Sequence, residues 1–262
     1  MARHGLRIAA LAYLFFLLVL PVALIIWRTF EDGLAPFVEA LTSPSALHAF
    51  KVTLIVAAWA VVANTIFGVG VAILLVRHEF PGKRLLNALI DLPLAVSPVV
   101  VGLALILVYG RFAPVGGWLE DIGIQVIFSI PGMVLATIFV SLPLVVRAVA
   151  PVLEELGDEQ EQASLTLGAN RWVTFRRITL PGIRSALTYG VILCLARALG
   201  EYGAVAVVSG RLVDETQTIT LFVEERFQNF DQQAAFAAAT ALAMIAVLTL
   251  LLTKLVTPKD AS

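Results

Sequence analysis

The residues that could do chemistry in this chain are few, and their spacing excludes most catalytic classes. No Gly-x-x-x-x-Gly-Lys-Ser/Thr occurs; the nearest run, Gly82-Lys83-Arg84, lacks both the loop and the hydroxyl that cradle a nucleotide. His78-Glu79 is not followed by a second histidine at helical spacing, and no Gly-x-Ser-x-Gly is present. The three histidines, His4, His48 and His78, flank apolar runs, and the single cysteine, Cys194, lies inside one, so neither a disulfide framework nor a Cys-rich metal site is expected. The conspicuous chemistry is charge where charge is costly. Asp91, Arg197 and Glu201 interrupt long apolar stretches. A charged side chain at the bilayer centre costs about 2.5–3.5 kcal/mol on insertion scales, so each must face protein or water. Arg197 and Glu201 are four residues apart and share a helix stripe. Two readings stay open for them: an internal ion pair that fixes packing, or an arginine lending positive potential to an anion path.

Asp91 is followed by Pro93, and Ser97 by Pro98. Each proline lacks an N–H and frees a backbone carbonyl. Irregular backbone at membrane depth is tolerated where it lines a cavity or is buried in protein. Asp91 is expected to cap the broken helix, with a part in gating as the second reading.

These residues must be positioned by a membrane scaffold. Apolar types make up 60% of the chain and charged types 14%, whereas a soluble domain is nearer a quarter charged. Apolar runs long enough to cross a bilayer fall at about 8–28, 52–76, 86–109, 129–149, 183–208 and 234–254, and predict six transmembrane helices in one domain, 1–262. The first run follows Arg3 and Arg7 but is too long for a signal-peptide core and ends at Trp27-Arg28, so it is expected to remain as a span. With the N-terminus inside, 12 of the 18 basic residues fall on the cytoplasmic side: Arg3, Arg7, Arg77, Lys83, Arg84, Arg147, Arg171, Arg176, Arg177, Arg184, Lys254 and Lys259. The outer side holds Arg28, Lys51, Arg111, Arg211 and Arg226, an asymmetry that satisfies the positive-inside rule and puts both termini in the cytoplasm. Ala186, Gly190, Cys194 and Ala198 recur every four residues, a small-residue row that lets another helix approach closely. Outside, Thr220–Phe230 reads as a short amphipathic helix on the outer surface, with Leu221, Phe222 and Phe227 on its apolar side. Trp27, Trp118 and Tyr109 fall where interfacial aromatic belts are expected.

The longest polar interval between spans is Asp158–Pro181, within a cytoplasmic loop at 151–181. Asp158, Glu159 and Glu161 open it, where a helix N-terminus favours negative charge, and Arg171, Arg176 and Arg177 close it. Gly168 permits a left-handed turn, and Pro181 is expected to open the next span at its first turn. The reading is helix, glycine turn, short basic helix: a water-exposed element tethered at both ends and suited to docking a soluble partner.

The spacing of Gly168, Ala169, Ile178, Leu180 and Pro181 resembles the signature loop of the membrane subunits of ABC importers. That family usually writes Glu-Ala-Ala at the head of the motif; this sequence has Gln162, Ala163 and Ser164 there, with Glu161 one residue early. Across most of the chain, Asp91 through Gly102, Gly116-Gly117-Trp118-Leu119, Pro131-Gly132-Met133-Val134 and Ala196 through Gly210 are similar to the sulfate/thiosulfate importer permeases, and most to their W-type. The resemblance implies an all-α integral membrane protein with the type I (MetI-like) importer permease fold. It implies no cofactor on this chain, ATP being bound by a partner subunit. The implied partners are a T-type sister permease, two copies of an ABC ATPase and a periplasmic or lipid-anchored sulfate-binding protein, in the inner membrane and with no nucleic acid. It also implies that Glu161, Gln162, Ala163, Ser164, Gly168, Ala169, Ile178, Leu180 and Pro181 couple to the ATPase; Arg197, Glu201, Asp91 and Ser97, from their charge and the proline-broken backbone, are the candidates for the substrate path. The Arg197 to Ala204 string is shared with molybdate permeases, so a molybdate or tungstate permease of the same fold stays open, as does the less supported intramembrane enzyme.

Overall fold

The computed structural model describes residues 2–256; Met1 and residues 257–262, Lys259 among them, lie outside the described residues. Among the described residues the chain forms helices and turns and no strand. Helices α1 (Ala2–Leu14) and α2 (Leu20–Phe30) join through a π-helical turn at Phe15–Val19 into one apolar rod. Its Leu11, Phe15, Phe16, Leu18 and Trp27 stay exposed. Thr29 ties the rod's end to the last long helix, its Oγ1 lying 2.7 Å from that of Thr240. Helix α3 (Leu34–Thr42) then lies before α4 (Pro44–Arg77). At 34 residues and a rise of 1.5 Å per residue, α4 is about 51 Å long and overreaches a bilayer core. Ser43 caps it and Pro44 fills its first turn, where a missing N–H costs nothing.

The predicted third span is not one helix. Helices α5 (Lys83–Ala95) and α6 (Pro98–Tyr109) meet at a bend of 115°. Pro98 is the cause: it clashes with a helical residue before it, and Ser97 is accordingly extended at ψ 133°. Pro93, by contrast, sits inside α5. Helix α7 (Pro114–Asp121) occupies the loop that follows.

Helix α8 (Ile130–Leu156) is the hub. Its Met133, Ala136, Val145, Val146, Val149 and Leu153 are buried among α4, α5, α6 and the fifth span. Helices α9 (Glu159–Thr166), α10 (Arg171–Thr174) and α11 (Leu180–Gly182) follow, the last two joined by a π-helical turn at Phe175–Thr179. A 73° bend at Ile183 leads into α12 (Arg184–Leu199). Pro181 therefore does not open the span as expected. It lies in the last turn of the basic helix, and the span begins three residues later, because Ile183 is fully buried and anchors the bend.

The fifth span is also interrupted, between α12 and α13 (Gly203–Val208). The four residues of the small-residue row on α12, Ala186, Gly190, Cys194 and Ala198, are buried as their spacing predicts. Helix α14 (Ile219–Gln228) departs from expectation: Ile219, Leu221 and Phe222 are buried, Ile219 and Phe222 in one cluster with Ala46 and Ala49 of α4 and Ala238 of α15 (Gln232–Val256), and Leu221 in another with Val52 of α4 and Val205 of α13. It is plugged into the bundle and does not lie on its surface; Phe227 alone of the three named aromatic and aliphatic residues stays exposed. Four helical stretches are individually long and apolar enough to cross a membrane, and the two bent pairs bring the number to six.

Candidate functional site

Two places combine the sequence-marked residues. At the first, α9 and the α10–α11 segment fold as an antiparallel pair about Gly168, whose φ of +87° is the left-handed conformation that glycine adopts without penalty. The turn closes with Gly168 N donating to Leu165 O at 3.0 Å and Ala169 N to Ser164 O at 3.1 Å. Asn170 then caps α10, its Oδ1 accepting from Val173 N at 2.8 Å. Ser164 and Thr174 join the two helices through their hydroxyls at 3.0 Å. Ala163, Ser164, Leu167, Ala169, Val173 and Ile178 line a groove of about 490 Å³ between them. Leu167 and Trp172 stand exposed at 87% and 67%, an apolar display on an otherwise charged element that suits a protein partner. Leu180 is half-buried and Pro181 exposed.

The acidic residues of α9 divide by position. Gln162 is exposed and donates to Asp158 Oδ2 at 2.7 Å. Glu161 points the other way, accepting from Thr179 Oγ1 at 2.8 Å and from Arg77 Nε at 3.1 Å. The carboxylate one residue early is thus the structural anchor of the element. Arg77 was visible in sequence only as a basic residue ending an apolar run; nothing local to it marks its partners.

The second place is where the two broken spans meet. The α12–α13 break lies against the α5–α6 break, so that a Cβ on Gly203 would come within 3.0 Å of Pro98 Cβ. Ser97 is exposed at this break. Glu201 lies beyond the end of α12, so it and Arg197 do not share one continuous helix, yet they pair at 2.9 Å. The Glu201 side chain is 1% exposed and that of Arg197 40%. Glu201 Oε1 also accepts from Ala204 N at 3.0 Å, capping the first turn of α13. From the first turn of α14, Thr220 Oγ1 donates to the Glu201 carbonyl at 2.9 Å. The carboxylate is fixed by backbone, and it in turn holds a guanidinium that has an open side.

Asp91 is not among these residues. It lies within α5 and caps nothing; Arg147 of α8 clasps it by Nε at 2.8 Å and Nη2 at 2.5 Å, a forked pair. The expected cap fails because the break falls at Ser97, six residues on. A further node went unmarked in the sequence reading: fully buried Asn64 donates to Ser141 Oγ at 2.8 Å and Ile138 O at 3.2 Å, and lies 3.5 Å from Cys194 Sγ. It joins α4, α8 and α12, and a lone asparagine in a long apolar run was its only signal.

The family described as binding-protein-dependent transport system inner membrane component matches the chain over residues 64–259. The sulfate transport system permease protein CysW of Synechocystis sp. is 49% identical over 243 residues, covering 93% of this chain and 88% of that protein. The protein of the same name from Escherichia coli K12 is 46% identical over 237 residues, covering 90% and 81%. CysT of that strain is 39% identical over 241 residues, covering 92% and 87%. Among solved structures, a bacterial ABC transporter involved in the import of the acidic polysaccharide alginate shares the fold, with a TM-score of 0.80 at 16% identity over 100% of this chain and 96% of that one.

Proposed function

We propose a function from one premise: the chain belongs to the family of binding-protein-dependent transport system inner membrane components, and within it to the CysW-type sulfate transport permeases. It is a membrane permease subunit of a sulfate importer, and not itself an enzyme. The observation that carries the coupling reading is the α9–α11 element: two helices about Gly168, anchored to the bundle by Glu161, with Leu167 and Trp172 turned outward. We assign to this face the docking of an ABC ATPase in the cytoplasm, where the basic-residue asymmetry puts both termini.

The remaining parts follow from that assignment. ATP is bound by the ATPase subunit, two copies of which act on this chain and a T-type sister permease. A sulfate-binding protein delivers the anion outside. Closure of the ATPase pair moves the coupling elements, the permease pair opens outward to take sulfate or thiosulfate, and hydrolysis returns it to an inward-open state. The anion's path runs past the paired breaks, where Ser97 is exposed and Glu201 holds Arg197 as a fixed, partly open positive charge. Such a charge lowers the cost of a dianion in a low-dielectric stretch. Asp91, paired with Arg147, takes a bracing position on the flank of α8.

Uptake tests the substrate. Cells lacking the chain should regain labelled sulfate uptake when it is restored, and excess thiosulfate should compete while molybdate and tungstate should not. Restored molybdate uptake without sulfate uptake would make the chain an importer of the other oxyanion class.

A further inference from the structure

The coupling element joins the bundle by two bent connections, the turn at Gly157 after α8 and the 73° bend at Ile183 before α12. Bent joints transmit displacement poorly. A third connection is made by side chains and comes from a different span. Arg77, the last residue of α4, donates by Nη1 to Leu153 O at 2.9 Å and by Nη2 to Gly157 O at 2.6 Å. Its Nε and Nη2 also reach the two oxygens of Glu161 at 3.1 and 3.4 Å. Glu161 accepts in addition from Thr179, so α4, the end of α8, α9 and the π-helical turn before α11 converge on one guanidinium and one carboxylate. Both side chains are largely buried, 13% and 20% exposed. Leu153 O and Gly157 O are at the end of α8, where carbonyls have no helical partner; Arg77 satisfies them from outside the helix.

Helix α4 runs as one helix, unbroken by proline beyond its first turn, and its far end is bonded to the outer segment. Thr53 Oγ1 accepts from Ile219 N at 2.9 Å, and Ser45 Oγ from Arg226 Nη2 at 3.2 Å. The same helix thus touches the coupling element at Arg77 and α14 at Thr53 and Ser45, about 36 and 48 Å away by its rise.

From this geometry we infer that Arg77 is the positioning residue through which motion of the coupling element passes to α4 and so to the outer face. The inference rests on the importer reading. Removing Arg77 leaves both covalent joints and the ATPase-facing groove intact, so docking and hydrolysis persist while work on the pathway is lost. Lysine keeps the charge but is a single point donor and cannot fork across two carbonyls and a carboxylate.

The experiment uses the whole complex, with sister permease and ATPase, in proteoliposomes supplied with sulfate-loaded binding protein, and reads labelled sulfate uptake and ATP hydrolysis together. In Arg77→Ala, hydrolysis should stay near wild type while sulfate moved per ATP falls about tenfold, the factor one charge-assisted hydrogen bond commands; Arg77→Lys and Glu161→Gln should fall between. An unchanged ratio in Arg77→Ala, or uptake and hydrolysis falling together in step with assembled complex, overturns the inference. Should Arg77→Ala fail to assemble, a wild-type ratio in both Arg77→Lys and Glu161→Gln overturns it, and a lowered one supports it. A wild-type complex that hydrolyses ATP and moves no sulfate would instead bring down the importer reading, and this inference with it.

Discussion

At the scale of single residues, the Arg197–Glu201 pair divides its labour unevenly. Glu201 is enclosed and has two fixed engagements, Ala204 N–H and the guanidinium, whereas Arg197 keeps two-fifths of its side chain open. Removing Arg197 strands a buried carboxylate, a loss typically worth about 3–5 kcal/mol, with the open side of the pair drawing it to the lower end. Arg197→Ala should therefore lower the amount of protein in the membrane. Arg197→Ala with Glu201→Ala should restore the amount but not sulfate uptake, since the positive charge on the proposed path is gone. Immunoblots beside uptake rates separate the two effects; full uptake by the double variant at normal protein level would take Arg197 off the path. The pair was legible in the sequence because two charges four apart in an apolar run have few ways to be tolerated. Its geometry was not. Gly200 ends α12 between them, and only the packing of α13 against Pro98 shows where the break faces.

At the scale of elements, the coupling turn was legible for a local reason: a glycine between an acid-led helix and a base-ended one leaves one plausible turn, and Gly168 adopts it at φ +87°. A Cβ added there meets nothing within 4 Å, so strain alone decides the outcome. Gly168→Ala should cost about 1–2 kcal/mol of left-handed strain and keep most uptake. Gly168→Pro can adopt neither the φ nor the bond to Leu165 O, and should abolish uptake and co-purification of the ATPase while the chain remains in the membrane. Survival of both would show that this element does not dock the ATPase. What the sequence hid at this scale is long-range. The pattern of α14 is amphipathic, but periodicity says that a face is apolar and not what covers it; Phe222 goes between α4 and α15. Likewise Pro93 and Pro98 look alike as breakers, yet α5 absorbs the first and the chain turns 115° at the second.

At the scale of the whole molecule, α8 and α4 form the frame, α12 closes on it through its small-residue row, and the broken spans meet beside it. The rod from Ala9 to Phe30 stands almost wholly outside this core, held near its C-terminal end by Thr29. Both spans that break do so near each other and near the buried carboxylate, while α4 and α8, two of the four that do not, run to the coupling element and are clamped there by Arg77. On the proposed function this arrangement reads as a transmission frame beside a conducting seam. Its central claim is that energy enters on the coupling-element side and sulfate on the opposite side. Proteoliposomes holding the complete complex, with ATP sealed on the side of residues 158–181 and sulfate-loaded binding protein on the other, test it most directly. Labelled sulfate should accumulate on the ATP side and stop when ATP is replaced by a non-hydrolysable analogue. Accumulation that requires ATP and the binding protein on the same side would contradict the account.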